Sequence, residues 1–291
     1  MYNLSSPSDI SEILQRHGFH LSKTLGQNFL INGSVCPRMA EMCGADQNTG
    51  VLEIGPGVGV LTAELAKRAQ KVVSVELDKH LLPVLKETLA EYGNISIILG
   101  DILKIDLMGL CGEQFAGQEF CVCANLPYYI TSPVIMYLLE SGLPLRTITV
   151  MVQKEAARRL CALPGSRECG AVSVGVHYRC RPEILFDVGR SSFMPPPNVD
   201  SAVIRLNMLR TPPVNVTDEG LFFRLVKAAF GKRRKTLVNS VSSSLPYEKT
   251  VLADTLRECG LSETIRAERM TMENFAQLSN LLAVEKGDKK A

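Results

Sequence analysis

From residue 50 onward, short apolar runs alternate with segments whose apolar residues recur at helical spacing. The apolar runs are rich in β-branched residues, which is typical of strands that are covered on both faces of a sheet. They occupy residues 51–54, 72–76, 95–99, 120–124 and 147–152. Helical spacing covers residues 60–69 and 80–92. This alternation predicts an α/β fold with a mostly parallel, doubly wound sheet.

Two later apolar runs, at residues 183–188 and 202–208, are predicted to add a hairpin-like pair of strands. Residues 172–178 fit a strand or a helix, and the pattern does not decide between them. Ahead of the sheet, residues 8–16 and 35–43 have the patterns of two short helices.

The pattern changes at Thr211-Pro212-Pro213, where the prolines interrupt regular structure. Beyond them only helical spacing remains, at residues 219–230, 235–242, 248–259 and 272–284. We therefore predict an α/β domain over residues 1–210 and a small all-α domain over residues 211–291.

Composition narrows the class of protein without identifying it. A net charge of +2 over 291 residues does not by itself favour a nucleic-acid partner. Nine cysteines occur without a CxxC pair or a Cys/His cluster, so we expect reduced thiols, a cytoplasmic location and no metal site. The N-terminus lacks the pattern of a secretory signal, and no apolar run approaches the roughly 20 residues of a membrane span.

A glycine-rich turn follows the first strand, in the sequence Glu53-Ile54-Gly55-Pro56-Gly57-Val58-Gly59. Glycines here, including Gly55 and Gly57, allow a ligand to touch the backbone at the start of a helix, although such turns also occur without a ligand. Glu76 ends the second strand, where a carboxylate can accept both ribose hydroxyls of a nucleoside. Asp101 follows the third strand and can accept an adenine amino group. Together these residues predict a nucleoside cofactor at the carboxyl ends of the strands.

Pro56 helps to separate two possible cofactors. It removes one backbone N–H from the turn, which disfavours the pyrophosphate of NAD but does not affect a methionine tail. The combination therefore favours S-adenosylmethionine and a Rossmann-like class I methyltransferase fold. Glu53 either binds the cofactor's ammonium group through water or braces the turn, and bracing is the favoured interpretation.

The tetrapeptide Asn125-Leu126-Pro127-Tyr128 follows the fourth strand and supplies the predicted catalytic residues. The side-chain oxygen of Asn125 and a backbone carbonyl, that of Leu126, can accept the two N–H bonds of a planar amino group such as adenine N6. Pro127 fixes the backbone, and Tyr128 offers a face on which the base can stack. Such catalysis depends on positioning and electrostatics. The alternative is an ordinary Asn-Pro turn with a surface tyrosine.

Two further features fit a nucleic-acid substrate. Phe193 lies beside the stiff run Pro195-Pro196-Pro197 and can contact the opposite face of a flipped base, although a core phenylalanine explains it as well. The basic run Lys232-Arg233-Arg234-Lys235 suits phosphate groups, whereas most charge runs are merely solvated surfaces.

The chain resembles the ribosomal RNA adenine N6-dimethyltransferase family, and within it the bacterial small-subunit (16S) dimethyladenosine transferases linked to kasugamycin sensitivity. Five motifs carry the resemblance, in the family's order along nearly the whole chain. They begin at Gly26 (GQNFL), Glu53 (EIGPGVG), Asn125 (NLPYYI), Phe193 (FMPPPNVDSAV) and Lys232 (KRRKTL). Met194 departs from the family, in which many members have a small polar residue there.

The resemblance implies that Asn28 and Leu30 also contact the cofactor. It implies two adjacent adenines near the 3′ end of the small-subunit RNA as targets, each methylated twice, on a partly assembled small subunit. We expect a monomer. Three alternatives stay open: a large-subunit rRNA adenine methyltransferase of the macrolide-resistance type, methylation of DNA adenine or protein glutamine, and a ribosome-assembly factor that acts mainly by binding.

Overall fold

The computed structural model describes residues 3–19, 28–232 and 234–288. Gly26 and Gln27 of the first motif and Arg233 of the basic run lie outside the described residues. The described residues form two compact units. The first contains the residues up to 157 together with 182–208, and the second contains 158–181 together with those from 209 onward.

The strands of the described residues follow the predicted runs closely. They are β1 (Phe29–Leu30), β2 (Gly50–Ile54), β3 (Lys71–Glu76), β4 (Ile95–Leu99), β5 (Phe120–Asn125), β6 (Leu145–Gln153), β7 (Cys180–Val188), β8 (Phe193–Met194) and β9 (Ser201–Met208). Seven of them form one sheet in the order β4-β3-β2-β5-β6-β9-β7. The pairs from β4 through β6 are parallel, and β9 is antiparallel to β6. The predicted mostly parallel, Rossmann-like sheet is confirmed.

The parallel arrangement has a physical cause in the central strands. All residues of β2 are buried, as are those of β5 before Asn125. Two helices pack their apolar faces against them, because Met39 of one helix and Leu65 of the other belong to the same apolar cluster as Val51. The register then brings the strand ends together, with Glu53 opposite Ser74. In such sheets ligands bind at the carboxyl ends of the strands.

The α-helices of the described residues are α1 (Pro7–Arg16), α2 (Val35–Met42), α3 (Val60–Ala66), α4 (Leu82–Thr88), α5 (Leu107–Phe115), α6 (Thr131–Glu140), α7 (Lys154–Cys161), α8 (Ala171–Arg179), α9 (Glu219–Phe230), α10 (Leu237–Val241), α11 (Lys249–Glu258) and α12 (Met272–Asp288). The undecided segment 172–178 lies in α8. The sequence pattern did not predict α5, α6 or α7.

Several predicted elements differ in extent. The helix predicted over 80–92 is a 3₁₀ turn, Lys79–Leu81, followed by the shorter α4. The helix predicted from residue 235 begins at Leu237 because the Thr236 hydroxyl caps it, accepting a 3.4 Å hydrogen bond from the Asn239 N–H. The predicted pair of late strands is present as β7 and β9, which neighbour each other in the sheet. They are not joined by a simple hairpin, because β8 lies between them in the chain.

The second unit is helical and has its own core, in which Phe222, Leu237 and Phe275 are fully buried. Val174 and Tyr178 of α8 belong to the same core. The sequence-based boundary at residue 210 assigned 158–181 to the α/β domain, whereas the structure places this segment in the helical unit. Apolar packing of α8 on α9 causes the difference, and no composition change marks it in the sequence.

Candidate active site

The glycine turn after β2 has a backbone that side chains disfavour. Gly55 and Gly57 have φ angles of +70° and +61°, in the left-handed region that glycine adopts without strain. A Cβ atom on Gly57 would also lie 3.4 Å from the ring of Phe29. The Gly55 N–H donates to the carbonyl of Val75 at 3.0 Å, which ties the turn to β3. At Gly55 and Gly57 the turn therefore presents only backbone to the cavity that it lines.

Two predicted carboxylates lie at adjacent strand ends. Glu76 is 6% exposed, and its Oε1 accepts a 2.7 Å hydrogen bond from the Asp78 N–H. Burial raises its pKa, while that hydrogen bond acts in the opposite direction. Asp101 is partly exposed; its Oδ1 accepts from the Leu103 N–H at 3.0 Å, and its Oδ2 lies 3.3 Å from the Lys104 ammonium. Both carboxylates line the same cavity as the glycine turn.

Glu53 lies at the wall of this cavity and is 1% exposed. Its Oε2 accepts a 2.6 Å hydrogen bond from the Ser74 hydroxyl, which joins β2 to β3. This contact fits the bracing role favoured above.

The tetrapeptide begins at the last residue of β5. Asn125 is opposite Met151 of β6, and the Leu126 N–H donates to the Met151 carbonyl at 3.3 Å. The carbonyl of Pro127 already accepts from the Ile130 N–H at 3.2 Å. The carbonyl of Leu126 is therefore the better placed second acceptor for a substrate amino group.

Tyr128 is half-buried, and its hydroxyl lies 2.8 Å from the hydroxyl of Ser201. Burial raises the pKa of this phenol; the Ser201 hydrogen bond lowers it, and the nearby Asp200 carboxylate raises it. Tyr128 is therefore a neutral aromatic side chain at ordinary pH. The sequence pattern did not predict the contact with Ser201.

Phe193 reaches the cavity through a two-stranded sheet that the sequence pattern did not predict. β1 and β8 are antiparallel, and Leu30 is directly opposite Phe193. Phe193 is only 3% exposed and packs in the apolar cluster that also contains Leu30, while it still lines the cavity. Both earlier interpretations of this residue, core packing and contact with a base, are compatible with that place. Asn28 precedes β1 and lines the same cavity.

One cleft in the first unit brings the predicted residues together. Its empty space, including the open mouth, is about 1170 Å³. The lining contains every predicted cofactor and catalytic residue: Asn28, Leu30, Gly55, Gly57, Glu76, Asp101, Asn125, Leu126, Pro127, Tyr128 and Phe193. It also contains Cys36, Leu77, Ile102 and Tyr129, which the sequence did not single out. Apolar walls, a bare backbone turn and carboxylates at two strand ends fit a nucleoside with a cationic tail.

The basic run lies in the second unit, where Lys232, Arg234 and Lys235 are exposed. Lys232 and Lys235 line a surface cleft together with Lys249 of α11. Three polar residues complete the lining: Asn239, Ser242 and Ser243. The sequence did not connect Lys249 with the run, because α10 separates them in the chain.

Within the described residues, no helix is both long and apolar enough to cross a bilayer. No group of three or more His, Cys, Asp or Glu side chains there could hold a metal ion. None of the nine cysteines, all of which lie within the described residues, forms a disulfide bond.

The mostly parallel sheet and the cleft at the carboxyl ends of its strands are those of an S-adenosylmethionine-dependent methyltransferase. The chain belongs to the ribosomal RNA adenine dimethylase family, whose sequence profile matches residues 18–284. S-adenosylmethionine is the methyl donor of this family.

Among the chain's relatives are two proteins called ribosomal RNA small subunit methyltransferase A, from Bacillus cereus (strain B4264) and Bacillus anthracis (strain CDC 684 / NRRL 3495). Each is 46% identical over 290 residues, covering 98% of this chain and 99% of the relative.

Two solved structures are similar along most of the chain. A dimethyladenosine transferase from Plasmodium falciparum has a TM-score of 0.71 and 28% identity, covering 89% of this chain and 98% of that one. The 23S rRNA methyltransferase ErmE has a TM-score of 0.68 and 27% identity, covering 88% of this chain and 100% of that one.

Proposed function

We propose that this protein transfers methyl groups from S-adenosylmethionine to adenine N6 in small-subunit (16S) ribosomal RNA and forms N6,N6-dimethyladenosine. One observation carries the proposal: the glycine turn, Glu76, Asp101 and the tetrapeptide all line one cleft. The names of the Bacillus relatives supply the small ribosomal subunit.

Bound S-adenosylmethionine supplies an electrophilic methyl group, so the protein has to orient a weak nucleophile. The Asn125 side-chain oxygen and the Leu126 carbonyl accept hydrogen bonds from the two N–H groups of adenine N6. They thereby direct its lone pair toward the methyl group. Pro127 holds the second acceptor rigid, and the ring of Tyr128 stacks on the base. Fixed acceptors already in place at a buried site favour the charge that develops on N6 in the transition state.

Gly55 and Gly57 allow the cofactor to contact the backbone closely, and Glu76 accepts hydrogen bonds from the ribose hydroxyls of the cofactor. Asp101 accepts a hydrogen bond from the adenine amino group of the cofactor, while Leu30 of β1 and Asn28, the residue before β1, cover the cofactor. Phe193 is proposed to support the target base from the wall opposite Tyr128. These roles agree with the cleft lining, and variants at each position test them.

The proposed target is a pair of adjacent adenosines near the 3′ end of the 16S RNA, in a partly assembled small subunit. We propose that the helical unit holds this RNA by its phosphates, through Lys232, Arg233, Arg234 and Lys235. The cleft that Lys232 and Lys235 share with Lys249 supports this assignment for the described residues. A monomeric protein acting in the cytoplasm, where subunits are assembled, completes the proposal.

A second function is favoured by one observation. The 23S rRNA methyltransferase ErmE matches this chain with a TM-score of 0.68, close to the value for the dimethyladenosine transferase. Methylation of a large-subunit adenine is therefore the alternative to be excluded. A role as an assembly factor can coexist with catalysis.

The test is methyl transfer from labelled S-adenosylmethionine to unmethylated small subunits, large subunits and duplex DNA. Mass spectrometry of the nucleosides identifies the product. We expect dimethyladenosine in small-subunit RNA and background label elsewhere. Label confined to large-subunit RNA would support the alternative, and no label in any substrate despite RNA binding would support a purely binding role.

A further inference from the structure

Two consecutive residues at the start of β9, Asp200 and Ser201, connect it to two aromatic residues of the cleft, Tyr128 and Phe193. The first connection is the 2.8 Å contact between the hydroxyls of Ser201 and Tyr128. Ser201 is 0% exposed and Tyr128 is half-buried, so water reaches this hydrogen bond at most from the Tyr128 side. A hydrogen bond in such surroundings restrains its partners more than one that water can replace.

Ser201 is held in a fixed place relative to the tetrapeptide. It is opposite Gln153, the last residue of β6, in the antiparallel β6–β9 pair. On its other edge β6 pairs with β5, where Met151 is opposite Asn125. The same strand therefore sets the position of the Ser201 hydroxyl and that of the amino-group acceptor.

Asp200 acts on the segment that leads to Phe193. Its Oδ1 accepts a 3.0 Å hydrogen bond from the Arg190 N–H, at the start of the 3₁₀ turn Arg190–Ser192. Phe193 follows this turn directly. From the other side, the Ser192 carbonyl accepts from the Ile31 N–H at 2.8 Å. The turn is therefore fixed both by β9 and by the segment after β1.

We propose that Ser201 and Asp200 are positioning residues, which set the gap between Tyr128 and Phe193 that receives the target adenine. Ser201 fixes the plane of the Tyr128 ring, and Asp200 fixes the turn that delivers Phe193. Neither touches the base or accepts a proton from it. This inference rests on the proposed function, because it requires a base between the two rings.

The first test is a double-mutant cycle on methylation of unmethylated small subunits. It compares the wild type with Ser201→Ala, Tyr128→Phe and the double variant. Each single change removes the same hydrogen bond and should lower kcat about threefold to tenfold, with the Kd for S-adenosylmethionine changed less than about twofold. The double variant should be no slower than the slower single variant. Effects that multiply would overturn the role of Ser201.

The second test uses two substitutions at Asp200. Asp200→Asn keeps an oxygen that can accept from Arg190, whereas Asp200→Ala removes it. We expect kcat close to wild type for the first variant and several-fold lower for the second. Equal losses would overturn the role of Asp200, because the charge rather than the hydrogen bond would then matter.

Two controls separate this inference from other outcomes. Thermal unfolding of each variant is measured beside its activity, and a fall in Tm that parallels the loss of kcat would leave only a structural role and overturn the inference. If the wild-type protein does not methylate small subunits, the proposed function itself fails. If it does, and the losses of kcat in the two single variants multiply in the double variant, only the inference fails.

Discussion

The carboxylate of Glu53 is hydrogen-bonded to Ser74 in the interior of the protein. Its Oε2 accepts from the Ser74 hydroxyl at 2.6 Å, and the residue is 1% exposed. Burial raises the pKa of Glu53 from 4.5 to about 7, an effect that Ser74 and Thr62 oppose and the nearby Glu76 carboxylate strengthens. The folded protein therefore holds this proton far more tightly than the unfolded chain does.

This difference predicts how stability changes with pH. Between pH 4.5 and about 7 the folded protein keeps a proton on Glu53 that the unfolded chain has released, so this contribution falls as the pH rises. The side chain introduced by Glu53→Gln is neutral at every pH. The variant should therefore lack this pH-dependent part of the free energy of unfolding, which amounts to about 3 kcal/mol or less across the window. Urea unfolding of both proteins at the two ends of this window measures it. An equally steep decline in the Gln variant would contradict the assignment.

Asn125 should matter for chemistry much more than for cofactor binding. Asn125→Ala removes one of the two acceptors proposed for adenine N6, and the loss of one such group lowers kcat on the order of 100-fold or more. Single-turnover methylation and calorimetry with S-adenosylmethionine measure the two effects separately. Tyr129→Ala, at an exposed neighbour in the same cleft, is the matched control and should retain much more activity. Parallel losses of kcat and cofactor affinity in Asn125→Ala would refute the role given to Asn125.

The glycine turn gives a prediction that separates backbone strain from steric clash. A Cβ on Gly55 would meet no atom within 4 Å, yet its φ is +70°. Gly55→Ala should therefore lower the free energy of unfolding by about 1 kcal/mol through strain alone. Gly112→Ala is the control, because Gly112 lies inside α5, with equally open space around its Cα. That change should stabilise the protein by about 0.5–1 kcal/mol. Urea denaturation that shows the same sign for both variants would exclude the strain argument.

The basic cleft predicts unequal contributions from exposed lysines of the helical unit. Lys249 lines the cleft with Lys232 and Lys235, whereas Lys227 is exposed but lies outside the lining. Lys249→Gln should weaken binding of small subunits and reduce the slope of log K against log salt by about one, as expected for one lost phosphate contact. Lys227→Gln loses the same charge and should change the slope less. Identical slopes for the two variants would mean that only the overall charge of the helical unit, and not the cleft, contributes to RNA binding.

The residues around the cofactor could be predicted because each follows a strand in the sequence. Gly55, Glu76, Asp101 and Asn125 all come at or just after the ends of apolar runs that form strands. Parallel pairing places such ends at one edge of a sheet, so local pattern and topology are sufficient to bring them together.

The remaining parts depend on contacts between distant residues. Nothing near Leu30 indicates that it pairs with Phe193, because the two strands contain two residues each and are too short for a periodic pattern. Ser201 looks like any strand residue until its partner Tyr128 is known. Tyr178 joins the helical core because Phe222 and Phe223 pack on its ring, with centroids 5.1 Å away in each case.

The pairing of Leu30 with Phe193 also has a thermodynamic consequence. The proposed cofactor contact and the proposed base contact face each other in one short antiparallel ribbon, so a displacement of either strand moves both contacts. If binding of the cofactor shifts β1, the affinity of the protein for RNA changes by some factor. By reciprocity, RNA then changes the affinity for the cofactor by the same factor.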